Sequence, residues 1–422
     1  MKDSNATKIG VIGLGYVGLP TILAMSNAGL TVVGVDISAQ RVESLKKGKS
    51  YINEIPDGDI RGTQKNVTYT TDFKSLKSCS VVLITVPTPL TKNKTPDLSA
   101  IEGACKSLAP YVQKNMLVVL ESTSFPGTTE EIAQPILESC GLKAGKDFYL
   151  AFAPERVDPG NKQYPITKIP KVVGGLDTKS TKIAVDFYKK YLPSVYPVSS
   201  IKAAETTKLL ENIFRLVNIS LVNELKMLTD KMGIDFYEVL KAASTKPYGF
   251  MAFRPGPGVG GHCIPLDPFY LSWKAREFNF FTRFIELAGE INELMPHNIV
   301  TKINWVLNKR KKSINGAKIL VLGVAYKKDI DDSRESPATP IITDLMRKGA
   351  KVNYCDPYIP AFNVAGTKLI SKNLTPAVLK AADCVVILTD HTIFDTKMIS
   401  SKSKLIVDTR GLITKRAPHI FF

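Results

Sequence analysis

One cysteine stands out by its surroundings. Cys263 lies in a segment rich in glycine and proline, residues 255–268, and Asp267 follows it by four residues. Loop glycines allow a substrate to approach closely, and a cysteine thiolate is a strong nucleophile. We therefore interpret Cys263 as a catalytic nucleophile. Zinc binding by His262 and Cys263 is the competing interpretation; because further ligands at suitable spacing are missing, the sequence predicts no metal.

A second pattern predicts a nucleotide cofactor. The segment GLGYVG, residues 13–18, follows a strand-like run at Ile9–Ile12 and opens a helix, and Asp36 ends the next strand 18 residues after the last glycine. In this context the first glycine permits a tight turn, the second lets the backbone approach a pyrophosphate, and the third lets helix and strand pack closely. An acidic side chain at position 36 would bind ribose hydroxyls and repel a 2′-phosphate, which favours NAD over NADP.

The elements that must position these residues alternate between strands and helices. Three further strands are predicted, each running into a polar, proline-containing loop at residues 87–89, 122–127 and 154–160. Ligands of open parallel sheets bind at such loops. A stretch from about Ala203 to Met232 lacks glycine and proline and carries leucines at helical spacing, which predicts one long helix that joins two domains or packs against its twin in a dimer.

The chain repeats its first unit. KILVLG at residues 318–323 resembles KIGVIG at 8–13, and AKVNYCD at 350–356 resembles LTVVGVD at 30–36. In the later copy the glycine pattern is replaced by GVAYKK, residues 323–328, which suits a nucleotide whose phosphates are bound by side-chain cations. The predicted fold class is α/β, with two Rossmann-like doubly wound domains joined by a central all-α domain with a long helix; the predicted boundaries are 1–200, 201–308 and 309–422.

Composition is that of an ordinary globular protein with an excess of positive charge. The 422 residues are 44% hydrophobic and 23% charged, with 56 basic and 39 acidic side chains. Of the net charge of +17, residues 301–422 carry +11, whereas residues 201–300 are neutral. Since no RNA-recognition, zinc-finger or helix-turn-helix pattern is visible, a second anionic nucleotide is favoured over nucleic acid, and most of the lysines are expected at the surface.

Cysteine usage favours a reducing compartment. The six cysteines include no CxxC pair, which argues against a disulfide framework. The polar N-terminal residues 1–8 give no sign of a signal peptide. The uncharged run Ile9–Val35 is long enough to span a bilayer, but its six glycines indicate a buried strand, turn, helix and strand instead. We therefore expect a cytoplasmic protein without membrane contact.

Seven motifs together resemble the UDP-glucose/GDP-mannose dehydrogenase superfamily over essentially the whole chain. They are, in chain order, GLGYVG, VPTP, ESTSFPGTT, PERVDPG, AETTKLLEN, GPGVGGHCIPLDP and KKDIDDSRESP. The resemblance implies oxidation of a sugar C6 alcohol to a carboxylate with two NAD⁺, through a cysteine thiohemiacetal and thioester. It also implies an NAD-binding first domain, a central dimerisation domain with the catalytic Lys, Asn and Cys, and a UDP-sugar-binding last domain.

The resemblance also implies a role for each matching residue. Cys263 matches the nucleophile, Lys208 and Asn212 the pair that supports the oxyanion and holds the sugar, Thr123 and Glu155 the residues around the catalytic water and its base, and Asp267 the acid near the thiol. The residues that match NAD contacts are Gly13, Gly15, Tyr16, Val17, Gly18, Asp36, Arg41, Thr88, Thr123 and Arg334. Those that match UDP-sugar contacts, besides Lys208 and Asn212, are Arg156, Val157, Arg215, Gly260, Tyr326 and Lys327. Among the basic residues of the last repeat, Arg410 is a further candidate for contact with the UDP diphosphate.

The preferred sugar is predicted from departures within the motifs. The glucose branch carries a second glutamate where this chain has Pro159, and a lysine where it has Leu266. The mannosamine branch carries His-x-Arg where residues 247–249 are Pro-Tyr-Gly. Residues 246–253, together with Asp158, are most similar to the UDP-N-acetylglucosamine branch. A UDP-N-acetylglucosamine 6-dehydrogenase is therefore predicted, with UDP-N-acetylmannosamine, UDP-GalNAc or UDP-glucose as alternative substrates and an inactive nucleotide-binding scaffold as the alternative of another class.

Overall fold

The computed structural model describes residues 8–52, 54–91, 94–157, 164–261 and 263–422. The chain divides into two compact units: residues 1–211 with 269–280, and residues 212–268 with 281–422. The α/β fold class is confirmed: in chain order, an eight-stranded sheet that is mostly parallel is followed by a helical region and then by a five-stranded parallel sheet. The three domain boundaries given above stay a prediction.

The first unit is built on an eight-stranded sheet. Its strands are β1 (Lys8–Ile12), β2 (Thr31–Val35), β3 (Val67–Thr70), β4 (Val81–Ile84), β5 (Leu117–Leu120), β6 (Tyr149–Phe152), β7 (Lys171–Gly175) and β8 (Val195–Pro197). Their order is β3-β2-β1-β4-β5-β6-β7-β8. The first six are mutually parallel, whereas β7 runs antiparallel to β6. The strand order reverses between β1 and β4, which is where doubly wound sheets open a ligand crevice.

Helices cover both faces of this sheet. They are α1 (Gly18–Asn27), α2 (Ala39–Lys46), α3 (Asp57–Thr63), α4 (Ser99–Leu108), α5 (Gln134–Glu138) and α6 (Thr178–Tyr188). Successive strand residues such as Val11 and Ile12 belong to two separate cores, one on each face. Burial of both faces explains why these strands are runs of apolar residues without polar alternation.

Helix α7 (Ile201–Met232) extends over both units and matches the predicted long helix with two further residues at its start. It is followed by α8 (Phe236–Ala243), α9 (Asp267–Ala275) and α10 (Arg283–Asn308). Pro296 lies inside α10.

The second unit contains a five-stranded parallel sheet and a two-stranded hairpin. Its later elements are β9 (Lys318–Leu322), α11 (Ala338–Arg347), β10 (Lys351–Cys355), β11 (Ala361–Val364), β12 (Thr367–Ile370), α12 (Pro376–Ala381), β13 (Cys384–Ile387), α13 (Thr396–Lys402), β14 (Ile406–Asp408) and β15 (Ile420–Phe421). The sheet order is β10-β9-β13-β14-β15, and β11 pairs with β12. As in the first unit, neighbouring residues such as Val321 and Leu322 point into different cores. The predicted repeat of the βαβ unit is present.

Candidate functional site

The loop between β1 and α1 has the shape that a dinucleotide requires. A Cβ on Gly18 would lie 2.6 Å from the Thr85 hydroxyl and overlap the Gly13 carbonyl, so only glycine fits there. A Cβ on Gly15 would meet no atom within 4 Å, so the space in front of this residue is open to a ligand. Tyr16 is exposed and Val17 is half-buried just before the first turn of α1. Backbone N–H groups at a helix N-terminus bind phosphate.

Asp36 lies at the end of β2 and is almost fully buried. Its carboxylate accepts hydrogen bonds from the N–H groups of Leu14, at 2.9 Å, and Ser38, at 2.8 Å. Because a carboxylate can accept about four hydrogen bonds, capacity remains for ribose hydroxyls. Arg41 on α2 lies 3.6 Å from the same carboxylate. The residues present therefore fit an adenosine ribose and the adjoining pyrophosphate.

The loops after β4 and β5 are joined by hydrogen bonds. The Thr88 hydroxyl donates to the Thr123 carbonyl at 2.6 Å, and the phenol of Tyr270 on α9 donates to the Thr88 carbonyl. Both threonines were predicted as NAD contacts, and both are partly exposed. Since Tyr270 is buried, it restrains the two loops from within the first unit.

A buried glutamate on α7 braces the loop that carries Thr123. Glu205 accepts hydrogen bonds from the N–H groups of Gly127, at 2.6 Å, and Thr129, at 3.0 Å, and from the Thr129 hydroxyl, at 2.7 Å. Burial raises the pKa of Glu205 to about 7, although these three donors oppose the rise. The sequence analysis did not assign this residue; its place within the AETTKLLEN motif was the available signal.

Glu155 follows β6 and belongs to a buried network of charges. Lys171, the first residue of β7, lies 3.1 Å from a carboxylate oxygen of Glu155 and 3.1 Å from one of Glu121. Tyr188 on α6 donates a hydrogen bond to the other oxygen of Glu121. Burial alone would raise the pKa of Glu155, but Lys171 and the N–H of Val157 outweigh it and lower that pKa. Burial raises the pKa of Glu121, in spite of the same lysine.

The residues after Glu155 contact protein groups in this structure. The N–H groups of Arg156 and Val157 donate to the Glu155 carboxylate at 2.8 and 2.7 Å. The Arg156 guanidinium pairs with Glu211 on α7, at 2.5 Å, and donates to the Pro170 carbonyl. Lys208, four residues before Asn212 on α7, is almost fully buried. Asp158 and His262 lie outside the described residues.

In the second unit, a tight turn places Asp267 beside the cysteine segment. The N–H groups of Leu266 and Asp267 both donate to the Cys263 carbonyl, at 3.2 and 2.8 Å. The side chain of Asn212 donates to the Asp267 carboxylate, and Arg215 donates to Asn212. Cys263 is exposed, whereas Asn212 and Asp267 are buried. The structure therefore brings together Asn212, Arg215 and the Cys263 turn.

The glycines before Cys263 are clamped by amides that the sequence analysis missed. Asn223 on α7 accepts from the Gly256 N–H at 2.8 Å, and Asn292 on α10 accepts from the Val259 N–H at 2.5 Å. No motif in the sequence indicated this contact. A Cβ on Gly260 would lie 2.7 Å from Cβ of Tyr326, so this loop packs directly against a predicted substrate residue.

The remaining predicted residues lie in the second unit around the same loop. The Arg334 carbonyl accepts from the Gly261 N–H at 3.3 Å, and the Arg334 guanidinium pairs with Asp332 at 2.6 Å. Lys327 follows Tyr326 and is half-buried. Arg410 pairs with Asp390 at 3.0 Å. Burial would raise the pKa of Asp390, but Arg410 lowers it.

The described residues contain neither a metal-binding cluster nor a membrane-spanning helix. Within residues 8–422, apart from the gaps named above, no cluster of three or more His, Cys, Asp or Glu side chains could hold a metal ion. No helix in the same part of the chain is both long and apolar enough to cross a membrane.

Comparison with known proteins decides the family. Models of the UDP-glucose/GDP-mannose dehydrogenase family match residues 7–192 as the NAD binding domain, 202–294 as the central domain and 320–415 as the UDP binding domain. The chain belongs to this family. It is an NAD-dependent UDP-sugar dehydrogenase.

Individual members of the family differ in their sugar. The chain is 35% identical to the UDP-N-acetyl-D-glucosamine 6-dehydrogenase of Pseudomonas aeruginosa over 396 residues, covering 93% of this chain and 92% of that protein. It is also 35% identical to the UDP-N-acetyl-D-mannosamine dehydrogenase of Pyrococcus horikoshii over 415 residues, covering 96% of each. A solved structure of the UDP-D-ManNAc dehydrogenase from Pyrococcus horikoshii superimposes with a TM-score of 0.89 at 33% identity, covering 99% of this chain and 98% of that one.

Two glycines of the dinucleotide loop should respond differently to alanine. We expect Gly15→Ala to fold normally, because its Cβ meets no protein atom, but to weaken NAD⁺ binding about tenfold or more, because the methyl occupies space that the pyrophosphate needs. Gly18→Ala should lose NAD⁺ binding and also about 1–3 kcal/mol of stability, because its Cβ overlaps the Gly13 carbonyl. Titration calorimetry with NAD⁺ and thermal unfolding measure the two effects.

Gly103→Ala is the matched control, since this glycine lies on α4 and its Cβ would meet no atom within 4 Å. It should bind NAD⁺ normally and melt at or slightly above the wild-type temperature. Unchanged NAD⁺ affinity in Gly15→Ala would contradict the assignment of this loop to the pyrophosphate.

Proposed function

We propose that the protein oxidises C6 of a UDP-N-acetyl-hexosamine, UDP-GlcNAc in the first place, to the uronate. The identity to a UDP-N-acetyl-D-glucosamine 6-dehydrogenase over nearly the whole chain supports this substrate class. Residues 246–253 and the absence of a His-x-Arg at 247–249 favour the gluco sugar over the manno epimer. UDP-N-acetylmannosamine, on which relatives of equal identity act, is the main alternative; UDP-GalNAc and UDP-glucose follow.

The proposed chemistry uses the cysteine as a covalent carrier. NAD⁺, when bound, would supply the hydride acceptor for both oxidations at C6. Between them the Cys263 thiolate adds to the C6 aldehyde and forms a thiohemiacetal, whose oxidation gives a thioester. Water then cleaves the thioester to the carboxylate and returns the thiol. Glu155 removes a proton from this water, and Thr123 orients it.

Other side chains hold the sugar and its charge. Lys208 and Asn212 lie one helical turn apart on α7, so both can stabilise an oxyanion at C6. Arg156, Val157, Arg215, Gly260, Tyr326, Lys327 and Arg410 are proposed to contact the UDP-sugar, and Arg334 to reach NAD. An opening of the Arg156–Glu211 ion pair is part of this proposal, because the guanidinium is otherwise paired within the protein.

The construction of the cysteine loop carries the proposal. The buried amide of Asn223 and the partly buried amide of Asn292 hold Gly256 and Val259 before Cys263, and Asn212 bonds the carboxylate that closes the Cys263 turn. A loop held at both ends presents an exposed thiol in a fixed position, which covalent catalysis requires and a packing cysteine does not.

A panel of sugars tests the substrate. With NAD⁺ in excess, we expect NADH formation to be fastest, by kcat/KM, with UDP-GlcNAc, and to stop at two NADH for each sugar consumed. UDP-ManNAc, UDP-GalNAc and UDP-glucose, assayed in parallel, are the matched alternatives. A faster reaction with one of them would replace the proposed sugar, and no reaction with any, together with intact NAD⁺ binding, would favour an inactive scaffold.

Replacement of the nucleophile tests the covalent route. Cys263→Ser should retain NAD⁺ affinity but lose turnover by about a thousandfold or more, because a serine hydroxyl near neutral pH is a far weaker nucleophile than a thiolate. Cys140→Ser, at a partly buried cysteine in the first unit, is the control and should keep its activity. Full uronate production by Cys263→Ser would rule out the thioester.

We also propose that the protein forms a homodimer through α7. Its exposed apolar side chains recur at three- and four-residue spacing, which makes a stripe that a second helix can cover: Leu221, Leu225, Leu228 and Met232. The zero net charge of residues 201–300 removes electrostatic repulsion between two copies.

The mass in solution tests the dimer. Light scattering should give twice the chain mass of 46.3 kDa for the wild type. The double variant Leu221→Glu with Leu225→Glu should give the mass of one chain, because a dimer would bury two charges in its interface. The control pair is Ile370→Glu with Ile393→Glu, two exposed residues outside α7. A wild-type monomer, or a stripe variant of wild-type mass, would refute this interface.

A further inference from the structure

Lys171 is the one cation within contact distance of two buried carboxylates in the first unit's described residues, and the proposed mechanism leaves it without a role. Because β7 runs antiparallel to β6, its first residue returns to the edge of the sheet at which β5 and β6 end. The β6–β7 register pairs Phe152 with Gly174; three residues further, it brings Lys171 level with Glu155.

The geometry joins three charged groups that have little exposed surface. The exposed fraction of the side chain is 6% for Lys171, 0% for Glu121 and 13% for Glu155. A lysine this deeply buried is strongly disfavoured unless it is paired. One ammonium in contact with two carboxylates leaves these three groups with a net charge of −1 when all are ionised.

The two carboxylates differ in how well each can hold that charge. Glu155 accepts two backbone N–H hydrogen bonds, from Arg156 and Val157, in addition to Lys171, and Lys208 on α7 adds a favourable charge. Glu121 has Lys171 and the Tyr188 hydroxyl and no exposed surface. Burial and the charges of both glutamates also raise the pKa of Tyr191. Ionisation is therefore easier at Glu155 than at Glu121.

We propose that Lys171 is a positioning residue that fixes Glu155 as an ionised, correctly oriented base, while Glu121 takes up the excess proton of the network. Glu155 remains the group that meets the water; Lys171 acts through it. The inference rests on the proposed role of Glu155 as general base. Burial acts to raise the pKa of both glutamates. The net direction is nevertheless down for Glu155 and up for Glu121, which agrees with the proposed roles.

The pH profile of kcat/KM tests this role, because its acid limb reports the ionisation of the essential base. Loss of an opposite charge at this distance raises a carboxyl pKa by about 1–3 units. In Lys171→Met the acid limb should therefore move to higher pH by that amount, with about a tenfold loss of rate per unit on the limb. Lys171→Arg should restore the limb to near its wild-type position. Lys189→Met, an exposed lysine after α6, is the control and should not move it.

A double variant separates this role from folding. Lys171→Met leaves two buried carboxylates unbalanced, whereas Lys171→Met with Glu121→Gln leaves only Glu155 and should fold more readily. The acid limb of this double variant should still lie at a higher pH than that of the wild type. Glu121→Gln alone should leave the acid limb at its wild-type pH or move it to lower pH, because Lys171 then pairs with Glu155 alone. A purely structural role would lower the melting temperature and the rate at every pH without moving the limb.

The outcomes distinguish the two proposals. If Glu155→Gln keeps the wild-type rate and limb, Glu155 is not the base and the mechanism proposed above fails. If Glu155→Gln loses activity but the double variant keeps the wild-type limb, the mechanism stands and the role of Lys171 is refuted. A shift of the acid limb to higher pH in Glu121→Gln alone would also refute the role of Lys171.

Discussion

The loops of this protein depend on one constraint: a buried backbone N–H group needs a hydrogen-bond acceptor. In a strand the neighbouring strand supplies that acceptor, whereas a loop residue must find it elsewhere. At several places the acceptor is a buried side chain. Asp36 accepts a backbone hydrogen bond from the loop after β1, and Glu205 accepts one from the loop after β5. Glu155 accepts from the residues that follow it. Asn223 and Asn292 serve the cysteine loop of the second unit. Residues that hold these loops and residues proposed for the chemistry are thus partly the same.

That overlap has an energetic consequence. A carboxylate that is buried to hold a loop must be kept ionised or hydrogen-bonded, since an isolated buried charge costs several kcal/mol. Asp36 uses N–H donors and Arg41, while Glu155 uses N–H donors and Lys171. Glu205 has only uncharged donors, and burial prevails there, with a pKa of about 7. Glu155, which Lys171 contacts, has a lowered pKa, whereas Glu205, held by uncharged donors, has a raised one.

Local patterns in the sequence were enough to predict the elements and the nucleotide loop. GLGYVG and Asp36 lie within one βαβ unit, so their geometry follows from neighbouring residues, and the long helix was predicted to within two residues of Ile201–Met232. The buried network could not be predicted, because Glu121 and Lys171 are 50 residues apart and meet only because β7 reverses direction. The contact of Glu205 with Gly127 spans 78 residues and likewise joins segments that no local pattern links. Strand direction is a property of the sheet, which a single strand's sequence does not encode.

The repeated βαβ unit shows how one acidic position can serve two purposes. Asp356 ends β10 as Asp36 ends β2, and its carboxylate likewise accepts from the loop after the first strand, here from Val324 and Ala325. His391, fully buried, contacts the same oxygen at 3.1 Å. Burial would raise the pKa of Asp356, but His391 lowers it. With that imidazole against it, Asp356 lacks the lone pairs and the space that Asp36 offers to a ribose. In the second repeat this acid therefore organises the loop, and its ligand is proposed to be bound by other groups, among them Tyr326 and Lys327 in the segment that replaces the glycine pattern.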